Sequence, residues 1–315
     1  MSGDDVPMMA NDSTKILSAC GRIVGSEEIR HAQHVVRMCS GLSRSELALT
    51  LGEHWEWIGA TGKPQRRACE KLLVRLEKQG YLELPAKQEC HGSSQRRSGE
   101  SEAGLQEATE PGPLVDCTLS AVRPVGLDRV EGREATALWN ALVERYHVFG
   151  YKRPFGCSLR YFVTSSRGRL GCLLVASGAR ALRERDEWIG WTAQQRLSNL
   201  PYVVNNSRFL LFPWVRVAHL ASHVLGQLAR QLRADWRDRW NYQPVLLETF
   251  VDPTRHRGIC CQAAGWQVLG ETTGSGLKLR GHSYRTSKKL ILVRPLVDDF
   301  RERLLYVPRT RSLEP

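Results

Sequence analysis

Two carboxylates, Glu248 and Asp252, stand four residues apart, the first inside the apolar run Val245–Val251 and the second just past it. An even spacing on a strand puts both on one face. Paired carboxylates are what acid–base or metal-assisted chemistry uses. At about 3.3 Å per residue they lie roughly 13 Å apart, so one divalent ion joins them only if the strand ends at Val251 and bends at Pro253. The plainer reading pairs Glu248 with an Arg and lets Asp252 cap a short helix. Tyr146 and Tyr151 flank Gly150. A Tyr nucleophile would suit strand transfer, and a core or base-stacking Tyr is the simpler role. His219 and His223 have helical metal-ligand spacing, but no Glu beside His219 makes a zincin motif.

A second group of residues is suited to nucleic acid. Asn205, Asn206 and Arg208 precede an apolar run, where two amides and a guanidinium can address phosphates or base edges. The alternative is an Asx turn followed by a surface Arg. Further upstream, the stretch from Pro64 to Gln79 carries Lys63 at its edge and then Arg66, Arg67, Lys71, Arg75 and Lys78. Ala68, Leu72, Leu73 and Leu76 recur at helical spacing on its other face. Glu70 and Glu77 offset two of those charges. Gly274, Gly276, Lys278 and Arg280 form a further basic segment.

The elements that must position these residues are legible in outline. Ser26 opens a helix towards Cys39, and Ser43 with Glu46 has the spacing of a capping box. Pro64 suits the first position of the third helix, Gly80 ends it, and Tyr81–Leu84 reads as a strand. Three helices and a strand in that order resemble a winged helix-turn-helix, in which the third helix enters the major groove. Residues 87–113 hold one Leu and no other large apolar side chain, which is the composition of a linker. Beyond it, Leu119–Arg123 reads as a strand and Glu134–Tyr146 as a helix. Leu159–Thr164 and Leu170–Ser177 make a hairpin around Ser165-Ser166-Arg167-Gly168. Arg208–Phe212, Val245–Val251, residues 265–269 and Lys289–Leu296 read as strands. Helices are expected from Ala218 to about Leu232 and near Gly258–Ala264.

The order hairpin, strand, Val-x-Val, long helix, strand, short helix, Gly-aromatic strand resembles the GNAT acyltransferase fold. In that family a glycine-containing loop before the long helix cradles the coenzyme A pyrophosphate. The corresponding stretch here, His219–Val224, has Ser222 and Val224 at the glycine places, so acetyl-coenzyme A is not an expected ligand. A closer resemblance covers about residues 26–298. The strings YHVFGYKRPFG, IGW, NNSRFLLFPWVRVAHLASHVLG, LLETFVD and AAGWQVLGETTGSG are similar to the DruA family of Druantia anti-phage systems, whose domains also occur in or beside transposases. Asn205, Asn206, Arg208, Trp214 and Arg216 belong to the third string. Glu248, Thr249 and Asp252 belong to the fourth.

Composition agrees with a nucleic-acid partner. The 315 residues carry 45 Lys and Arg against 33 Asp and Glu, a net charge of +12. Such an excess favours polyanions. No apolar run approaches the length of a membrane span, and the first 25 residues lack an apolar signal core. The nine cysteines form no C-x-x-C pair, as expected of reduced thiols in a cytoplasm.

The expected architecture is α+β: a tail (1–25), a winged helix (26–86), a linker (87–113), a GNAT-like mixed α/β domain (114–298) and a C-terminal tail (299–315). The expected function is DNA binding within an anti-phage defence or transposition system, alongside other proteins of that system and away from membranes. Arg66, Arg67, Lys71, Arg75, Asn205, Asn206, Arg208 and Arg216 would contact DNA. The alternatives are a strand-cleaving enzyme using Glu248, Asp252 or Tyr146, with a divalent metal as its open requirement, and an acyltransferase with Glu248 as base.

Overall fold

The computed structural model describes residues 17–19, 22–59, 64–86, 100–154, 156–274 and 287–306. Strands β1 (Leu17–Ala19) and β2 (Arg22–Val24) pair antiparallel where the sequence suggested a tail. Helices α1 (Ser26–Met38), α2 (Arg44–His54) and α3 (Arg66–Lys78) follow. Gly25, not Ser26, caps α1, and its N–H donates to Glu28 at 2.8 Å. Before α2, Ser43 Oγ accepts the Glu46 N–H while the Glu46 carboxylate accepts the Ser43 N–H. This reciprocal bonding is the capping box the spacing predicts. Helix α3 starts two residues after Pro64, and Gly80 stops it with φ +76°, a left-handed turn that favours glycine.

The strand expected at Tyr81–Leu84 does not form. Its backbone groups are already engaged. The Tyr81 N–H donates to the Leu76 carbonyl at 3.0 Å, closing the end of α3. Gln33 donates to the Tyr81 carbonyl at 2.7 Å, and the Leu84 N–H donates to Glu77 at 3.1 Å. With those partners no ladder is needed to satisfy the chain.

Helix α4 (Glu100–Ala108) lies within the polar stretch read as a linker. Strand β3 (Val115–Cys117) comes next, and a 3-10 turn at Leu119–Val122 replaces the strand expected there. The large unit continues with β4 (Gly126–Arg129), α5 (Arg133–Tyr146), β5 (Ser158–Ser165), β6 (Gly168–Ser177), α6 (Arg183–Ile189) and α7 (Ala193–Asn199). Then come β7 (Val203–Leu211), β8 (Val215–Val217), α8 (Leu220–Trp240) and β9 (Leu246–Val251). Helix α9 (Ile259–Ala263), β10 (Gln267–Glu271), β11 (Leu290–Pro295) and α10 (Phe300–Leu305) complete it. Among the described residues no helix is long and apolar enough to cross a membrane.

Seven strands form one mixed sheet in the order β10-β11-β9-β7-β6-β5-β4. The Ser166-Arg167 turn joins β5 to β6 as the hairpin signal predicts. Among the described pairs of this sheet, only the central β7–β9 pair is parallel. It is paired solely over Val203–Asn205 against Leu246–Glu248, although β7 runs on to Leu211 and β9 to Val251. Past Asn205 the two strands share no ladder, which opens the sheet at its centre. Beside this opening the β6–β7 register slips between Leu174 and Val175, leaving Ser207 as a bulge residue. Hairpin, strand, short strand, long helix, strand, short helix, strand is the element order a GNAT-like fold implies.

Side-chain alternation sends neighbouring residues of the sheet into different cores. Leu159, Tyr161, Val163, Leu173 and Val175 share one core with Leu225, Leu228, Leu232 and Trp236 of α8. Phe162, Cys172 and Leu174 turn the other way, onto Trp139, Leu142 and Val143 of α5. The first core is continuous with that of α1–α3, including Val35, Leu47, Leu51, Leu72 and Leu76. Cys39 at the end of α1 meets Cys157 before β5 with sulfurs 3.4 Å apart.

Candidate nucleic-acid interface

Helix α3 buries Ala68, Cys69, Leu72, Leu73 and Leu76 and exposes Arg66, Arg67, Lys71, Arg75 and Lys78. Positions 67, 71, 75 and 78 follow one helical face for about 16 Å. The helix's two carboxylates are occupied within the protein. Glu77 receives a two-pronged ion pair from Arg44 of α2, at 3.0 and 3.1 Å, and also accepts the Leu84 N–H. Glu70 accepts from Ser45 at 2.6 Å, and Arg66 donates to the same Ser45 hydroxyl at 2.8 Å. Arg67, Lys71 and Lys78 make no hydrogen bond or ion pair among the described residues. Lys63, like the segment with Gly276, Lys278 and Arg280, lies outside the described residues.

A cleft of about 270 Å³ lies between α2 and the central strands, lined by Glu53, His54, Lys152, Arg153, Arg180 and Arg208 among others. Arg153 reaches Glu46 on α2 at 2.9 Å, and Arg180 pairs with Glu56. The bulged Ser207 lies on the cleft wall. Burial raises the Glu53 carboxyl above its usual range despite the opposing charges of Arg180 and Lys152. Burial and then Arg180 pull the His54 imidazole down to about 4. The sequence reading does not reach Lys152, Arg153 or Arg180, although the first two stand in the string YHVFGYKRPFG.

The other expected DNA contacts are dispersed. Asn205, Asn206 and Arg208 do not precede a strand; they are part of β7, which starts five residues earlier than expected. Arg208 is half-buried and holds the Gly150 carbonyl with Nε at 2.9 Å and the Ser207 carbonyl at 2.7 Å. Burial lowers its pKa. The side-chain oxygens of Asn205 and Asn206 are buried without a partner among the described residues. Arg216 is exposed on β8, which pairs parallel with β3.

Glu248 sits at the opened centre of the sheet with no exposed surface, and one oxygen accepts from Arg185 at 2.9 Å. Its other oxygen accepts the Ala179 N–H at 2.6 Å. Asp252 closes the turn after β9, accepting from the Thr254 N–H and hydroxyl at 3.0 and 2.6 Å and from Ser287 at 3.2 Å. Those bonds from Thr254, and then Ser287, hold its carboxyl below the usual range. The Tyr146 hydroxyl donates to the Thr109 carbonyl at 2.7 Å, and its ring meets Phe212 and Trp214 edge-on. Among the described residues no three His, Cys, Asp or Glu side chains gather as metal ligands would.

The stretch His219–Val224 does not match a pyrophosphate loop. His219 caps α8 in a left-handed conformation, with φ +64°. Ser222 and Val224 already stand within the helix. Ser222 turns its hydroxyl onto the His219 carbonyl at 3.0 Å, and Val224 is fully buried. These residues therefore do not fit coenzyme A in the way the family's loop does.

Several solved structures have a related shape at low identity. The acyl-homoserine lactone synthase LasI is 16% identical, covering 59% of this chain and 98% of its own, with a TM-score of 0.31. A Bacillus subtilis acetyltransferase in complex with CoA is 7% identical over 44% of this chain and 78% of its own, with a TM-score of 0.29. The aminoglycoside N(6′)-acetyltransferase of Legionella pneumophila is 8% identical over 56% and 81%, with a TM-score of 0.28. No curated protein matches the sequence. The family model described as Druantia protein DruA matches residues 75–286, from the last turn of α3 through β10. The match takes in the cleft wall from Lys152 to Arg208 but not the wall on α2, and strands β4 to β10 of the sheet but not β11. It covers well over half of the chain, which therefore belongs to the DruA family of Druantia defence proteins.

Proposed function

We propose that this DruA-family chain is a DNA-binding component of its defence system, with α3 as the primary contact and the cleft beside α2 as a second. One observation carries the reading. The carboxylates of α3 are consumed by Arg44 and Ser45, while Arg67, Lys71 and Lys78 stay exposed and unpartnered among the described residues. A bare surface stripe of that length would repel itself, and a phosphate backbone would relieve the repulsion. The stripe is the counterpart of a recognition helix, the role a winged helix would give it. The engagement of both Glu248 oxygens by Arg185 and the Ala179 N–H supports a structural role for that carboxylate.

The test is fluorescence anisotropy of the full chain with duplex DNA at several salt concentrations. Each phosphate contact contributes about 0.9 to the slope of log affinity against log salt. Replacing Arg67, Lys71 and Lys78 together by Ala should lower that slope by about 2 to 3 and weaken binding at every salt concentration. Circular dichroism checks that the triple variant is folded. A folded variant with wild-type affinity and slope rejects α3 as the contact.

A further inference from the structure

We propose that the turn after α5 is a stacking platform for an unpaired base of single-stranded DNA, with Phe149 as the ring that receives it. The proposal rests on the DNA reading for its class of partner, but on a ring and cations that α3 does not supply. Val148 and Phe149 stand side by side in the turn, and each keeps 51% of its surface exposed. Single exposed apolar side chains are ordinary, whereas two together on a fixed turn mark a contact surface.

Bonds on both sides of Phe149 fix the turn. The Gly150 N–H donates to the His147 carbonyl at 2.7 Å, and the Phe149 N–H to His147 Nδ1 at 3.2 Å. Glu144 accepts the Tyr151 N–H at 2.6 Å, and Arg208 Nε donates to the Gly150 carbonyl at 2.9 Å. The ring is thus displayed by a backbone that is already bonded, so little chain ordering is left to oppose binding. Arg208 also lines the cleft beside α2, which places the turn against that cleft.

Cations surround the ring. Lys289 brings its ammonium to 4.7 Å from the centre of the Phe149 ring. Lys152 is exposed on the cleft wall, a few residues along the same loop. Neither ammonium makes a hydrogen bond or ion pair among the described residues. Arg255 and His256 are exposed in the turn after β9, which the bond from Ser287 to Asp252 holds near Lys289. The charges of His256 and Arg208 both act on the His147 ring. The carboxylates of Glu144 and Asp252 are bonded within the protein, to the Tyr151 N–H and to Thr254 and Ser287. An exposed ring among free ammonium groups suits a nucleotide, which offers a π-face and a phosphate together. In a duplex, neighbouring pairs cover both faces of a base, so the ring requires an unpaired one.

Fluorescence anisotropy of the full chain with labelled oligo(dT), which cannot pair with itself, tests the site beside a duplex of equal length. Phe149→Ala should weaken oligo(dT) binding roughly fivefold or more and leave duplex binding unchanged. Phe149→Trp, which keeps a π-face, should retain the affinity, and Phe149→Leu, which keeps only apolar surface, should not. Lys289→Gln should lower the slope of log affinity against log salt for oligo(dT) by about 0.7, one phosphate contact. The Phe149→Ala effect should persist when Arg67, Lys71 and Lys78 are also replaced, which separates this site from α3. Duplex binding without oligo(dT) binding overturns the platform alone, and absence of both overturns the DNA reading as well. Oligo(dT) binding that Phe149→Ala leaves intact overturns the platform, and full affinity in Phe149→Leu replaces stacking with a plain apolar contact.

Discussion

Arg185 and Glu248 form an ion pair of 2.9 Å in which neither side chain reaches solvent. Arg185 also donates to the Ala179 carbonyl at 2.7 Å and to Asp186 at 2.7 and 3.0 Å, so its fork is filled. Glu248 lies on β9 just where β7 and β9 stop pairing, and Ala179 follows β6. The pair thus ties α6 across the opened centre of the sheet. Glu248→Gln removes one charge and leaves the other buried. Such a loss costs about 3 kcal/mol, whereas replacing both partners with apolar residues is far milder. Urea unfolding should show a large drop for Glu248→Gln and partial recovery for Arg185→Met combined with Glu248→Leu. A single variant as stable as wild type would show that the pair does not hold the sheet.

Thiol chemistry should follow burial. Cys157 and Cys172 are enclosed, and burial pushes both thiols well up. Cys260, on α9, accepts from its neighbour Cys261, and that bond brings it down to about 7. The thiolate is the reactive form. Timed alkylation of the native protein at pH 7.5, mapped by mass spectrometry, should label Cys260 well before Cys157 or Cys172. Simultaneous labelling of the three would contradict the burial described.

What the sequence made legible is what local patterns encode. The capping box of α2, the β5–β6 hairpin, the long α8 and the buried stripe of α3 depend on residues close in the chain, and each is present. Tyr81–Leu84 has strand composition, yet the end of α3 and the side chains of Gln33 and Glu77 take its backbone groups. Helices α6 and α7 are seven residues each, too short for a helical period to register. The site was legible only in part. The basic stripe of α3 lies on one helix, but the partner of Glu248 is 63 residues away and the cleft joins α2 to residues past 150. Such pairings are set by topology, which composition does not encode.

Gly171 illustrates a close approach that only the folded sheet explains. A Cβ there would stand 2.1 Å from the Leu210 carbonyl oxygen on β7. That oxygen belongs to the backbone, so relief requires the β6–β7 ladder to shift rather than a side chain to turn. Gly171→Ala should therefore lower stability by about 2 kcal/mol or more, a size typical of core overpacking. The thermal midpoint measures it. An unchanged midpoint would mean that β6 and β7 are not in this register.

Buried histidines make stability depend on pH, His31, His54 and His147 most strongly. Burial, reinforced by His54 and His34, depresses His31 to about 2. Burial and Arg180 bring His54 to about 4, and burial, Arg208 and His256 bring His147 to about 4. In the unfolded chain each titrates near 6.5. Between about pH 6.5 and 4 the unfolded state therefore binds protons that the folded state refuses, and stability falls as pH falls. Each neutral buried ring adds at most about 1.4 kcal/mol per pH unit to that slope, and less for His147, which water partly screens. Glu53 works in the opposite sense near its own range, since burial raises it and the folded state holds its proton more readily. The histidines dominate above pH 5, where Glu53 is largely ionised in the unfolded chain. Urea midpoints measured from pH 7.5 to 5 should decline steadily, and His54→Gln should flatten the decline. A midpoint constant over that span would show that these rings are solvated and protonated in the folded protein.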